Sequence, residues 1–137
     1  MLVHKLPDTI TGLLLDTHSF LWFATGDSAL SPAAKQAIEA TAGIYVSAAS
    51  ALEIRTKYRL GKLASAAVIV HDLTTVVRRL EFAELDIAFA DADLAGSLEG
   101  THRDPFDRML IAQALNYRLA LVSNEAVFED FGVTRLW

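Results

Sequence analysis

The stretch GLLLD, Gly12 to Asp16, decides the fold. It is a short, unbroken apolar run closed by a carboxylate. A strand with one face in water alternates apolar and polar residues; a run without alternation is buried on both faces. Such strands belong to parallel sheets covered by helices on either side. The carboxylate that closes this one therefore lies at the strand's carboxyl end, where open parallel sheets bind their ligands.

Working outward, the same grammar repeats. THSFLWFATGD, after Asp16, reads as a short helix closed by Gly26. Ser31 and Pro32 are an N-cap and a first-turn proline for the helix SPAAKQAIEA. GIYVS (Gly43–Ser47) is a second buried strand, followed by a helix in AASALEIRTKYRLGK that ends near Gly61. Residues 66–80 predict one helix, with Val68, Leu73, Val76, Val77 and Leu80 as its apolar stripe. FAELDI is strand-like, 88–98 helical, Asp104–Tyr117 a helix, LALVS (Leu119–Ser123) a strand, Ala126–Phe131 a short helix and VTRLW a last strand. Strands alternating with helices predict a three-layer α/β/α, Rossmann-like domain with a central, mostly parallel sheet. There is no repeat, low-complexity tract or linker, so residues 1–137 form one domain, with 1–11 as a loose lead and the core from about 12 onward.

Composition narrows the chemistry. The chain is 53% hydrophobic, so it is globular rather than disordered. No apolar run approaches the roughly 20 residues needed to span a bilayer, and the start MLVHKLPDTITG has no signal-peptide pattern, so a cytoplasmic protein without membrane association is expected. There is no cysteine, which leaves oxygen and imidazole as the only metal donors. The net charge of −5 has the wrong sign for a nucleic-acid binder unless the carboxylates gather round cations.

Four acidic residues lie at or soon after a strand's carboxyl end, or on the helix packed beside it: Asp16, Glu53, Asp107 and Glu125. Each also has an ordinary structural reading. Asp16 or Thr17 can cap the following helix. Ser50 and Glu53 fit a capping box, although SAAS also lets that helix start at Ser47, which moves Glu53 past the cap. Asp104 before Pro105 is a good N-cap, and Asp107 suits the helix dipole. Glu125 follows the capping residues Ser123 and Asn124. The distribution of the four says more than any one of them. In a parallel sheet they converge, and converging carboxylates repel and raise each other's pKa unless a cation joins them. Oxygen-only ligands suit Mg²⁺ or Mn²⁺, and two such ions activate water for phosphodiester cleavage. Arg55, Lys57, Arg59 and Lys62 form a basic run near Glu53. It is either a solvated helix face or, with Arg103 and Arg108, a set of phosphate contacts. No histidine pair has zinc spacing; His18 and His102 flank the acidic stretches.

With these residues in place, the chain resembles the PIN domain ribonucleases, and among them the VapC-like toxins of VapBC type II toxin–antitoxin pairs. The likeness runs from about Leu13 to Trp137 and is carried by LLLDTHSFLW, VSAASALEIRTKYRLGKL, HRDPFDRMLIAQAL and LVSNEAVFEDFGV, in that order. By position, the family's first catalytic aspartate falls on Asp16, its helical glutamate on Glu53 and its third acidic residue on Asp107. Asp104 also matches the subgroup and is open as a metal ligand, a neighbour of one, or a cap. The fourth position, usually aspartate, is Glu125, one methylene longer, so its hold on a second metal is open. The lead before the first strand is a second departure from the pattern. The resemblance implies a Mg²⁺- or Mn²⁺-dependent endoribonuclease with catalytic Asp16, Glu53, Asp107 and Glu125. Its metal would be held by Asp16, Asp107, Glu125 and Asp104, and its RNA phosphates by Lys57, Arg55, Arg103 and Arg108. It further implies a homodimer inhibited by a VapB-like antitoxin and meeting operator DNA only through that antitoxin.

Other classes fit less well. A haloacid-dehalogenase-type phosphatase needs D-x-D after the first strand, but His18 stands two places after Asp16. A phosphoacceptor receiver domain needs an acidic pair before its central aspartate, and that order is absent. A catalytically weakened domain that serves as an antitoxin-binding module is the non-enzymatic alternative, with Glu125 as the feature in its favour.

Overall fold

The computed structural model describes residues 6–137. Of the lead expected over 1–11, residues 1–5 lie outside the described residues. Five strands form one all-parallel sheet: β1 (Gly12–Leu15), β2 (Ile44–Ser47), β3 (Ala83–Leu85), β4 (Leu119–Val122) and β5 (Arg135–Leu136), in the order β3-β2-β1-β4-β5. Six α-helices accompany them: α1 (Thr17–Thr25), α2 (Pro32–Ala40), α3 (Ala48–Arg59), α4 (Leu73–Arg79), α5 (Phe89–Ser97) and α6 (Pro105–Tyr117). This is the expected α/β/α sandwich, and the sheet is parallel throughout.

GLLL is central because both its faces are apolar. Leu13 and Leu15 point into one core, with Phe20 and Leu21 of α1, Ala34 and Ile38 of α2, and Ile54 of α3. Leu14 points into the other, with Leu110, Ile111 and Ala114 of α6 and with Phe128. Alternate residues of a strand face opposite sides, so one unbroken apolar run feeds two cores. All three leucines are wholly buried. Gly12 is required for close approach: a Cβ there would meet the Gly43 carbonyl oxygen at 2.6 Å. That atom is backbone, accepts from Leu13 N–H at 2.8 Å and cannot swing aside. Gly12→Ala is expected to destabilise the fold by about 2–3 kcal/mol, read as a lower denaturation midpoint at unchanged slope.

One expectation needs correction. Residues 66–80 are not one helix. Ala64–Val68 and Val70–Asp72 are 3₁₀ segments, and α4 begins only at Leu73. Consecutive β-branched residues, Val68-Ile69-Val70, crowd a helix. Asp72 then restarts it as an N-cap, its carboxylate accepting from Thr75 N–H at 3.3 Å. Ala126–Phe131 is the expected short helix, and it is 3₁₀. Among the described residues no helix is long and apolar enough to cross a membrane.

Candidate active site

The sheet order puts β1 beside β4, and both strands end at the same edge: Leu15 pairs with Val122. Asp16 follows one strand and Ser123 the other, and the Asp16 N–H donates to the Val122 carbonyl at 3.1 Å. Asp16 does cap α1, since its Oδ1 accepts from Ser19 N–H at 2.8 Å. It is nonetheless only 4% exposed. Burial raises its pKa above the ordinary 3.8, against hydrogen bonds from Ser123 and Ser19 and the charge of His18. Capping and site are compatible readings of one residue, because a cap occupies a single oxygen.

Glu53 enters from α3. The capping box with Ser50 does not form. Ser47 is the N-cap, its Oγ accepting from Ala49 N–H at 3.0 Å, so Glu53 stands in the second turn. It is 3% exposed. The Thr17 hydroxyl donates to its Oε1 at 2.6 Å, and the Lys57 ammonium lies 2.5 Å from its Oε2. Thr17 Oγ1 also lies 3.0 Å from Ser50 Oγ, which fixes the hydroxyl from behind.

α6 brings Asp104 and Asp107. Asp104 is the N-cap, with Oδ1 accepting from Phe106 and Asp107 N–H at 2.8 and 3.1 Å. Asp107 turns inward, and its Oδ2 lies 2.8 Å from His102 Nε2. Burial, with the charges of Asp104 and Glu125 adding to it, pushes the Asp107 pKa up to about 6 despite the His102 contact. Glu125 is exposed and opens the Ala126–Phe131 segment, its N–H donating to Ser123 Oγ at 3.0 Å. Ser123 thus bridges the Asp16 carboxylate and the Glu125 backbone.

Charge links Glu53, Asp104, Asp107 and Glu125, and Asp16 joins them through Ser123 and the adjacent Thr17. Asp107 feels Asp104 and Glu125, and Lys57 feels Glu53, Asp104 and Asp107. Among the described residues no three His, Asp or Glu side chains are drawn together closely enough to cage an ion as they stand. Each buried carboxylate is engaged by an internal donor instead: Ser19 on Asp16, Thr17 and Lys57 on Glu53, His102 on Asp107. The donor set still fits a hard divalent cation. It is all oxygen and partly desolvated. Its pKa values are raised at Asp16 and Asp107, the sign of charges that lack a sufficient counter-charge.

The basic residues divide. Lys57 is in the cluster, and Arg103 is exposed beside it in sequence. Arg108, expected on phosphate, uses its guanidinium as a brace. Nε donates to the Ala95 carbonyl at 2.9 Å, Nη1 to the His102 carbonyl at 2.9 Å, and Nη2 to the Leu98 carbonyl. This holds the 98–102 loop that delivers His102 to Asp107. Arg55 Nη1 donates to the Val70 carbonyl at 2.6 Å. Periodicity places a residue on a face but does not reveal such loop-spanning contacts. Thr17, Ser123 and His102 were not singled out as site residues from sequence. The usable signal was adjacency, since Thr17 directly follows the strand-end aspartate and Ser123 ends the neighbouring strand.

The PIN domain family matches the chain over residues 13–133, and the chain belongs to that family. The fold is shared with solved structures. VapBC2 of Rickettsia felis, bound to a DNA fragment from its promoter, aligns with a TM-score of 0.68 at 15% identity, covering 92% of this chain and 98% of that one. FitAcB of Neisseria gonorrhoeae aligns with a TM-score of 0.61 at 20% identity over 91% and 96%. VapC20 of Mycobacterium tuberculosis, a Sarcin-Ricin loop cleaving toxin, aligns with a TM-score of 0.62 at 15% identity over 89% and 96%. No curated protein matches the chain in sequence.

Proposed function

We propose that this PIN domain is a Mg²⁺- or Mn²⁺-dependent endoribonuclease, the toxin of a toxin–antitoxin pair held in check by a VapB-like antitoxin. One observation carries the reading. Asp16, Glu53 and Asp107 come from three separate elements to the sheet's carboxyl edge, all at most partly exposed, with Glu125 electrostatically coupled to Asp107. Burying carboxylates of one sign is costly unless the site exists to hold a cation. The similar folds named for VapBC, FitAcB and VapC20 support the biological setting.

In this reading Asp16, Asp107 and Glu125 hold the metal, with Asp104 beside them and Glu53 as a further ligand or the residue that orients water. When bound, the cation would supply an activated water and charge neutralisation at the scissile phosphate. The chain's own residues do the positioning. Ser123 orients Asp16, Thr17 orients Glu53, and His102, held by Arg108, orients Asp107. Lys57 and Arg103 are the side chains left to meet phosphate, with Arg55 earlier in α3. In the proposed pair the toxin is a cytoplasmic homodimer that reaches operator DNA only through the antitoxin.

The test is cleavage of a mixed single-stranded RNA pool with Mg²⁺ or Mn²⁺ against EDTA, beside Asp16→Asn. Metal-dependent cuts, reduced at least about 100-fold in Asp16→Asn, are the expected result. Full cleavage by Asp16→Asn would remove the site assignment. The exposed Glu125 favours a second reading, a weakened domain that binds the antitoxin without cutting. Metal binding without any cleavage would select it.

A further inference from the structure

Lys57 does something in this cluster that phosphate contact does not account for. Its ammonium lies against Glu53 Oε2, and the charges of Asp104 and Asp107 also reach it. It is the ammonium that the chain itself supplies to Glu53. The two oxygens of Glu53 are held differently. Oε1 is pinned by Thr17, which is 5% exposed and backed by Ser50. Oε2 is held only by a flexible side chain that is 35% exposed, one able to swing into solvent without disturbing the core. Glu53 is therefore oriented whether or not Lys57 stays.

We infer that Lys57 is an exchangeable internal counter-ion: it occupies Glu53 Oε2 until a divalent cation displaces it, and the displaced ammonium then serves RNA phosphate. The inference rests on the proposed metal-dependent reading. It makes Lys57 a positioning residue, with opposite effects on two ligands. It competes with the metal and assists the nucleic acid. A lysine that was merely a surface ion pair would do neither.

The experiment is Mn²⁺ titration by calorimetry on four proteins: the unaltered chain, Lys57→Met, Lys57→Gln and Lys62→Met. Lys62 lies beyond the end of α3 and controls for a simple loss of one positive charge. Both Lys57 variants are expected to bind Mn²⁺ roughly five- to tenfold more tightly than the unaltered chain. Lys62→Met should change affinity by less than about twofold. In the presence of a 2′-O-methyl oligonucleotide checked by gel to stay intact through the titration, the unaltered chain should bind Mn²⁺ more tightly, and the Lys57 variants should lose that coupling. Equal affinity in Lys57→Met and the unaltered chain would overturn the exchange while leaving the metal site standing. Equal tightening by Lys62→Met would overturn it too. If no protein bound Mn²⁺, the metal-dependent reading would fall first and the exchange with it.

Discussion

Asp107→Asn is expected to melt at a higher temperature than the unaltered chain while losing metal-dependent cleavage. The Asp107 carboxyl titrates at about 6 in the fold against 3.8 ordinarily, with burial the main cause. A group whose folded pKa is raised stabilises the fold while protonated, and that stability is lost as pH rises through the folded value. For Asp107 the loss falls between about pH 4 and 6, and the ionised group carries the cost at every higher pH. Two units correspond to about 3 kcal/mol. Asparagine keeps the shape and can still meet His102 but carries no charge. A gain of about 2–3 kcal/mol at pH 7.5 follows, or roughly 5–10 °C in melting temperature without metal. The gain should vanish below about pH 4. Added Mg²⁺ or Mn²⁺ should raise the melting temperature of the unaltered chain and not that of the variant. A variant that melts lower than the unaltered chain at pH 7.5 would show that Asp107 is paid for structurally and not held for a ligand.

Asp91→Ala is expected to have the largest effect in the other direction. Asp91 is fully buried, far from the acidic cluster in sequence, and joins α5 to α6. Its carboxylate accepts from Ala88 N–H at 2.9 Å, Asn116 Nδ2 at 2.9 Å, Tyr117 hydroxyl at 3.0 Å and Gln113 Nε2 at 3.4 Å. Burial pushes its pKa up, but the donors outweigh that and hold it below the ordinary value. Here the sign is reversed. Stability is present above the ordinary pKa and lost as pH falls through the lowered one. Removing the carboxylate strands several donors, at a cost of about 3–5 kcal/mol, a large share of a domain's stability. Chemical denaturation measures it. A change under about 1 kcal/mol would mean that water replaces the carboxylate readily. The two aspartates then form a contrast: one with too few donors for its charge, one with its donors in full.

That contrast marks the limit of what the sequence discloses. Gly12–Leu15 announced itself as a central strand because its apolar run has no alternation, and Ser31-Pro32 announced α2 through local capping chemistry. Asp16, Glu53, Asp107 and Glu125 were visible as a group because strand ends converge in any parallel sheet. The partners of those carboxylates were not. Arg108 lies one place from Asp107 and looked like a phosphate ligand, but it turns back on the carbonyls of its own preceding loop. Asp91 has no local signal of its role, since nothing nearby in sequence says that Asn116 and Tyr117 will fold over it. The break in 66–80 was legible in principle. Val68-Ile69-Val70 and Asp72 give the reason, but an apolar stripe at helical spacing outweighs them when read alone.

The pairing of β1 with β4 has a consequence for how this chain is made. Leu15 and Val122 are neighbours in the sheet, yet their codons lie far apart in the message. Asp16 is oriented by Ser123, and Glu125 comes from beyond β4. A ribosome that has translated the first hundred residues has exposed Asp16 and Glu53, but not the strand that brings the remaining acidic residues to them. Contacts this distant in sequence form late. As the ribonuclease proposed above, the chain, still tethered to the RNA that encodes it, would thereby be harmless to its own template until synthesis has passed the last residues of the site.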